Sequence, residues 1–147
     1  MPYAISALKP DPTLEYDVTD AASGTPLRVT VMGGVVGLAP VQEGMFKVRS
    51  GGAAASRDPM GFFLPGVHPL PPGPDPLFVP EVYLTQVGVY DGDLKSTRMH
   101  GVGADAQAQV APDPQRGGQR FVYLSFTCVG GEPMGVRYRV TMVRPRP

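Results

Sequence analysis

A chain of 147 residues with 42% hydrophobic and 18% charged side chains has the size and composition of one folded domain, without the high-charge signature of disorder. Its 13 basic and 13 acidic residues leave no net charge, which argues against nucleic acid or an anionic membrane as partner. The 19 Gly and 18 Pro residues exclude helix as a main element, since Pro costs about 3 and Gly about 1 kcal/mol relative to Ala inside one.

The chain opens Met1-Pro2-Tyr3-Ala4-Ile5, without the basic region and apolar core of a signal peptide. No apolar run reaches the length of a membrane-spanning segment, so a soluble protein, cytoplasmic or particle-associated, is expected. The first strand signal follows, with Leu14, Tyr16 and Val18 alternating with Glu15 and Asp17. Leu27, Val29 and Val31 repeat the pattern against Arg28 and Thr30. Gly33-Gly34 marks a turn, and Phe46 and Val48 alternate with Lys47 and Arg49.

Two segments then depart from strand chemistry. Residues 50–61 are small and flexible around Ala53-Ala54-Ala55-Ser56. Residues 65–80 contain Pro65, Pro69, Pro71, Pro72, Pro74, Pro76 and Pro80. Proline fixes φ and lacks an N–H, so this stretch is expected to run extended, outside any ladder.

Val82 to Tyr90 reads as a strand that changes phase. Val82 and Leu84 share one face, and Val87 and Val89 fall on the other unless a bulge inserts a residue near Thr85-Gln86; a strand crossing between sheets is the alternative. Asp91-Gly92 closes it with a tight-turn signal. Val102, Ala104, Ala106, Ala108 and Val110 then oppose Asp105, Gln107 and Gln109. After a turn at Gly117-Gly118, Val122, Leu124, Phe126 and Cys128 oppose Tyr123, Ser125 and Thr127. Val136, Tyr138, Val140 and Met142 oppose Arg137, Arg139 and Thr141. The link 130–135 between these last two strands suggests an antiparallel hairpin.

The expected fold is therefore all-β: a compact antiparallel sandwich, immunoglobulin-like or jelly-roll-like, of about seven short strands. A partly open β-barrel is the alternative. One domain is expected over 1–147, with a long Pro-rich loop at 65–80.

Chemistry-bearing patterns are sparse. His68 and His100 stand alone, outside any metal-ligand spacing, so no metal or other cofactor is expected. Cys128 lies on an apolar strand face, where a thiol acts as a small hydrophobe with a raised pKa. As the only cysteine it also excludes an intramolecular disulfide. The pairs Asp91/Asp93 and Glu15/Asp17 fit turns and strand faces better than cation loops. Gly101-Val102-Gly103-Ala104-Asp105-Ala106 lacks the helix a dinucleotide loop requires. Arg137, Arg139, Arg144 and Arg146 make the C-terminal end basic but hold no stacking aromatic. An acidic first strand and a basic last one are expected to pair either within one subunit or head to tail between subunits.

With no catalytic residue indicated, the expected function is a non-enzymatic structural or interaction protein. It would be a β-sandwich subunit of a larger assembly, such as a phage particle or tail-like complex, with protein partners or further copies of itself. Its contact residues are expected to be Pro69, Pro71, Pro72, Pro74 and Phe78 of the long loop, with Arg137 and Arg139 of the last strand. The alternative is a small-molecule-binding barrel or small enzyme, its pocket drawn from Tyr83, Tyr90, Tyr123, Tyr138 and His100.

Overall fold

Apolar residues at every second position put one side of each strand into a common interior, and two such sides make a sandwich. The computed structural model describes residues 3–40, 60–87, 103–129 and 133–146. Its strands are β1 (Tyr3–Pro10), β2 (Leu14–Thr19), β3 (Pro26–Pro40), β4 (Gly61–Phe63), β5 (Leu77–Val87), β6 (Gly103–Asp113), β7 (Gln119–Val129) and β8 (Met134–Pro145). The only helical turn among the described residues is a 3-10 turn at Pro114–Arg116. The expected strand at Phe46 and Val48, the turn at Asp91-Gly92, and Tyr90 and His100 lie outside the described residues.

Every pairing is antiparallel. The larger sheet runs β1–β3–β8–β5, with β2 also pairing β3, and the smaller runs β4–β7–β6. The two sheets pack face to face without closing, which decides for the sandwich over the barrel.

β1 and β2 together form one edge strand along the 15-residue β3. Their register on β3 slips once between Ile5 and Ala7. It slips again across 11–13, where three residues oppose two between the pairs Pro10↔Gly34 and Leu14↔Val31. Each slip is an extra residue that bends the edge. On β5 the register shifts between Leu84 and Gln86, so the expected bulge at Thr85-Gln86 is present.

The interior is built by Met32, Val36 and Leu38 of β3, Val122, Leu124 and Phe126 of β7, and Met134 through Met142 on alternate positions of β8. Phe62, Phe126 and Tyr138 meet at its centre, with ring centroids 5.6 to 6.2 Å apart. Opposite β7, β6 presents only Ala104, Ala106, Ala108 and Val110. Small side chains there leave room for the larger ones of β7 and β8.

Three expectations require correction. β7 and β8 are not a hairpin, because β7 pairs β4 and β6 while β8 pairs β3 and β5. Both strands turn their apolar sides to the same interior, so the link between them passes from one sheet to the other. Gly33-Gly34 is not a turn but the middle of β3. A Cβ on Gly34 would lie 2.6 Å from the Tyr138 Oη and 2.7 Å from the Lys9 carbonyl oxygen, so glycine is required by close approach. Finally, the Pro-rich segment does not stay wholly outside the ladders. Residues 77–80 belong to β5, and Leu70 bridges Arg120. Among the described residues β5 pairs only with β8, and Pro80 is tolerated on such an edge strand.

Gly117 and Gly118 form the expected turn, at φ +70° and +73°. Before them, buried Asp113 accepts from the Gln115 N–H at 2.9 Å and pairs with Arg116 Nε at 2.5 Å, closing the β6–β7 hairpin. These bonds, the Arg116 one foremost, hold the Asp113 carboxyl below its ordinary range.

Candidate interaction surface

The Pro-rich segment is mounted on the small sheet by three buried or paired groups. Leu64 and Leu70 are buried in the core cluster, and Val67 packs against it. Arg120 on β7 donates to the Pro71 carbonyl at 2.9 Å and pairs with Asp75 at 2.5 Å. The Leu70 N–H donates to the Arg120 carbonyl at 2.8 Å. With its apolar side chains inward, the segment turns Pro65, Pro69, Pro71, Pro72 and Pro74 outward, all exposed. Fixed φ angles and these anchors make a preorganised ridge. Phe78 is not part of it. That side chain points from β5 into the sandwich and packs against the core, so the sequence placed it on the wrong side.

Arg137 and Arg139 are exposed on the outer face of the large sheet, away from the core. Arg137 pairs with Asp11 at 2.8 Å and Arg139 with Glu81 at 2.5 Å. The Arg139 guanidinium, and after it the Tyr83 hydroxyl, hold the Glu81 carboxyl below its ordinary range. Arg144 has the opposite parity on β8, so the four C-terminal arginines do not make one basic face. Arg28 lies directly opposite Arg144 in the register. Asp17 and Glu15 lie 3.0 and 3.2 Å from Arg28 and offset this like-charge pairing. The acidic first strand and basic last strand thus flank β3 on either side, and their side chains close over it as Asp11–Arg137 and Asp17–Arg146.

That charged row uncovers a feature the sequence did not show. Beyond Thr30, the side of the large sheet that faces inward turns charged: Glu15, Asp17, Arg28 and Arg144. The outward side turns apolar. Leu14, Tyr16 and Val18 stand opposite Val31, Val29 and Leu27, then Thr141 and Val143 of β8, then Val79 and Leu77 of β5. Leu14 is 61%, Tyr16 51%, Leu77 66% and Val79 45% exposed. The small sheet's outer face is by contrast polar along β6, with Asp105, Gln107 and Gln109 exposed. The alternation at Leu14–Val18 is real, but its apolar side faces away from the interior. Each of the two extra residues in the β1–β2 edge shifts which side a given parity faces. No periodicity reveals that outcome.

Between this apolar area and the ion pairs lies a shallow depression of about 290 Å³, lined by Asp11, Leu14, Val31, Gly33, Tyr83 and Arg139 among others. Of the side chains expected at a pocket, Tyr83 and Tyr138 both line it, while Tyr90 and His100 lie outside the described residues. Tyr138 is buried in the core, and Tyr123 lies across the molecule beside Phe63 on the small sheet, with ring centroids 5.0 Å apart. Among the described residues no three of His, Cys, Asp and Glu gather as a metal site, and His68 is an exposed loop residue.

Cys128 lies half-buried against the core, and burial pushes its thiol up to about 11. At pH 8 such a group holds on the order of a hundredfold less thiolate than one at 9. Iodoacetamide should therefore alkylate the folded chain at least about tenfold more slowly than the urea-unfolded chain. Equal rates would show the thiol to be open to solvent.

These features define an all-antiparallel β-sandwich with two outward surfaces, a proline ridge and an apolar sheet face. Compared with protein-family models, curated proteins and solved structures, the chain matches none. No helix among the described residues is long and apolar enough to cross a membrane.

Proposed function

We propose that this chain is a non-enzymatic interaction protein, a β-sandwich subunit of a larger protein assembly such as a particle or tail-like complex. The observation that carries this reading is the proline ridge Pro69–Pro74, exposed yet anchored by Leu70 and Arg120. A ridge already ordered before contact loses little conformational entropy on binding, which suits a permanent structural contact. Arg137 and Arg139 lie outside that ridge and contribute to the second, apolar surface as its charged border. The small-molecule reading has weaker support: Tyr83 and Tyr138 line the depression, but Tyr138 is buried in the core, Tyr123 lies on the other sheet, and Asp11 and Arg137 pair with each other.

Two measurements test it. In extracts of cells that make the protein, the chain should migrate in an assembly larger than itself or its dimer, and Pro72→Asp should release it. Migration only as monomer or dimer overturns the reading. On the purified chain, residues 65–76 should resist protease, and Arg120→Ala should raise cleavage there about tenfold by freeing Pro71 and Asp75. Rapid cleavage of the unaltered chain within 69–75 would remove the preorganisation on which the argument stands.

A further inference from the structure

The apolar face of the large sheet is where the chain meets another copy of itself. We propose that the outer side of β2, β3, β8 and β5 stacks on the same side of a second copy, giving a two-fold dimer. The inference deepens the assembly reading and rests on it, by naming one partner.

A soluble sheet that leaves one side to solvent makes that side polar. Here the polarity is reversed over three successive rows: Val18–Leu27, Tyr16–Val29–Val143–Leu77, and Leu14–Val31–Thr141–Val79. The inward positions of the same stretch hold Glu15 in the row of Thr30, Met142 and Phe78, and then the wholly charged row Asp17, Arg28 and Arg144. Charge has been placed where the sandwich ends, and on the outward side Leu14, Tyr16, Leu77 and Val79 stay exposed around a buried Val29 among the described residues. An apolar area of this kind marks a contact surface.

A face that binds its own copy must be complementary to itself, which a surface of one sign cannot be. Among the described residues, four of the five charged side chains bordering this face close on one another, as Asp11–Arg137 and Glu81–Arg139, with Lys9 outside those pairs. It therefore offers a foreign charged partner little to select. The whole chain carries no net charge at pH 7, so no long-range repulsion opposes a second copy.

Size and the sheet's edges agree. With strands about 4.8 Å apart and about 3.3 Å per residue, the face from Val18–Leu27 to Arg137–Tyr83 covers roughly 600 Å². Two copies then bury roughly 1,200 Å², at the border between weak, transient contacts and standard specific interfaces, so the dimer is weak and reversible. Addition through the edges is disfavoured. Pro10, Pro12 and the two register slips interrupt one edge, and Pro80 and the bulge at Thr85 interrupt the other. Copies therefore stack rather than extend the sheet.

Sedimentation velocity of the purified full chain from about 1 to about 300 µM tests this. The expected result is a monomer–dimer equilibrium with its midpoint inside that range. Tyr16→Glu should raise the dissociation constant at least about tenfold. Gln107→Glu, on the outer face of the small sheet, should leave it unchanged. Circular dichroism checks that each variant folds. Should Tyr16→Glu not fold, Leu77→Lys carries the same test at the more exposed position. A chain that stays monomeric throughout, or a folded Tyr16→Glu variant that dimerises as before, overturns the proposal. A monomeric purified chain that still migrates in a large assembly in extracts would refute this dimer alone and leave the assembly reading standing.

Discussion

Gly34→Ala is expected to destabilise the protein by about 3 kcal/mol, the upper end for overpacking, because two of the three atoms it meets belong to backbone. The added methyl carbon would lie 2.6 Å from the Tyr138 Oη, 2.7 Å from the Lys9 carbonyl oxygen and 2.9 Å from the Pro10 Cα. A flexible side chain could swing aside. The β1 backbone cannot move without breaking its pairing at Pro10↔Gly34. Gly33→Ala, whose nearest contact is 3.0 Å, should cost less. Urea denaturation of both variants gives the comparison. A loss under about 1 kcal/mol for Gly34→Ala, or a greater loss at Gly33, would show that β1 does not sit as closely on β3 as described.

Leu124→Ala should cost about 3 kcal/mol, within the range of 2–5 measured for such truncations. Leu124 is fully buried in the middle of β7, between Phe62 of β4 and Ala108 of β6 in the register. Its β6 neighbour is already an alanine, so no larger side chain stands beside it there to relax into the gap. Tyr138→Phe in the same core provides the contrast. The Tyr138 Oη is buried without a hydrogen-bond partner among the described residues, so removing it should be neutral or slightly stabilising. The same burial, with the Asp11 charge after it, pushes the Tyr138 phenol up to about 12 from 10. The neutral form is the one the fold favours. That contribution is therefore complete below pH 10 and lost as pH rises towards about 12. Stability should decline over this interval, and decline less steeply in Tyr138→Phe. Parallel declines in the two proteins would show that Tyr138 does not titrate as its burial demands.

Much of the strand content was legible because half-burial writes itself as alternation. The apolar sets of β6, β7 and β8 and the phase change in β5 were readable for that reason. On β3, by contrast, the alternation at Leu27, Val29 and Val31 belongs to the outward side, and the core set Met32, Val36 and Leu38 was missed. β1 was missed because Ala4, Ser6 and Lys9 interrupt its pattern, and its register slips within the strand. β4 was missed because three residues carry no period at all. Gly33-Gly34 misled because a glycine pair signals both turns and close approach, and only the neighbouring Tyr138 and Lys9 decide between them. Phe78 was assigned to the loop surface by the prolines around it, although parity on β5 turns it inward.

Alternation and composition alone were enough for an all-β chain with little helix, a Cys128 on an apolar strand face, a change of phase near Thr85 and a proline segment in the middle. Only the tertiary structure decided which sheet each strand joins, so that β7 and β8 part company across the interior. Only it decided that Leu14, Tyr16 and Val18 look outward. The physical reason is the same in both cases. A period of two states that a strand has an apolar side, but sheet membership and facing depend on distant partners and on single extra residues that turn the strand over.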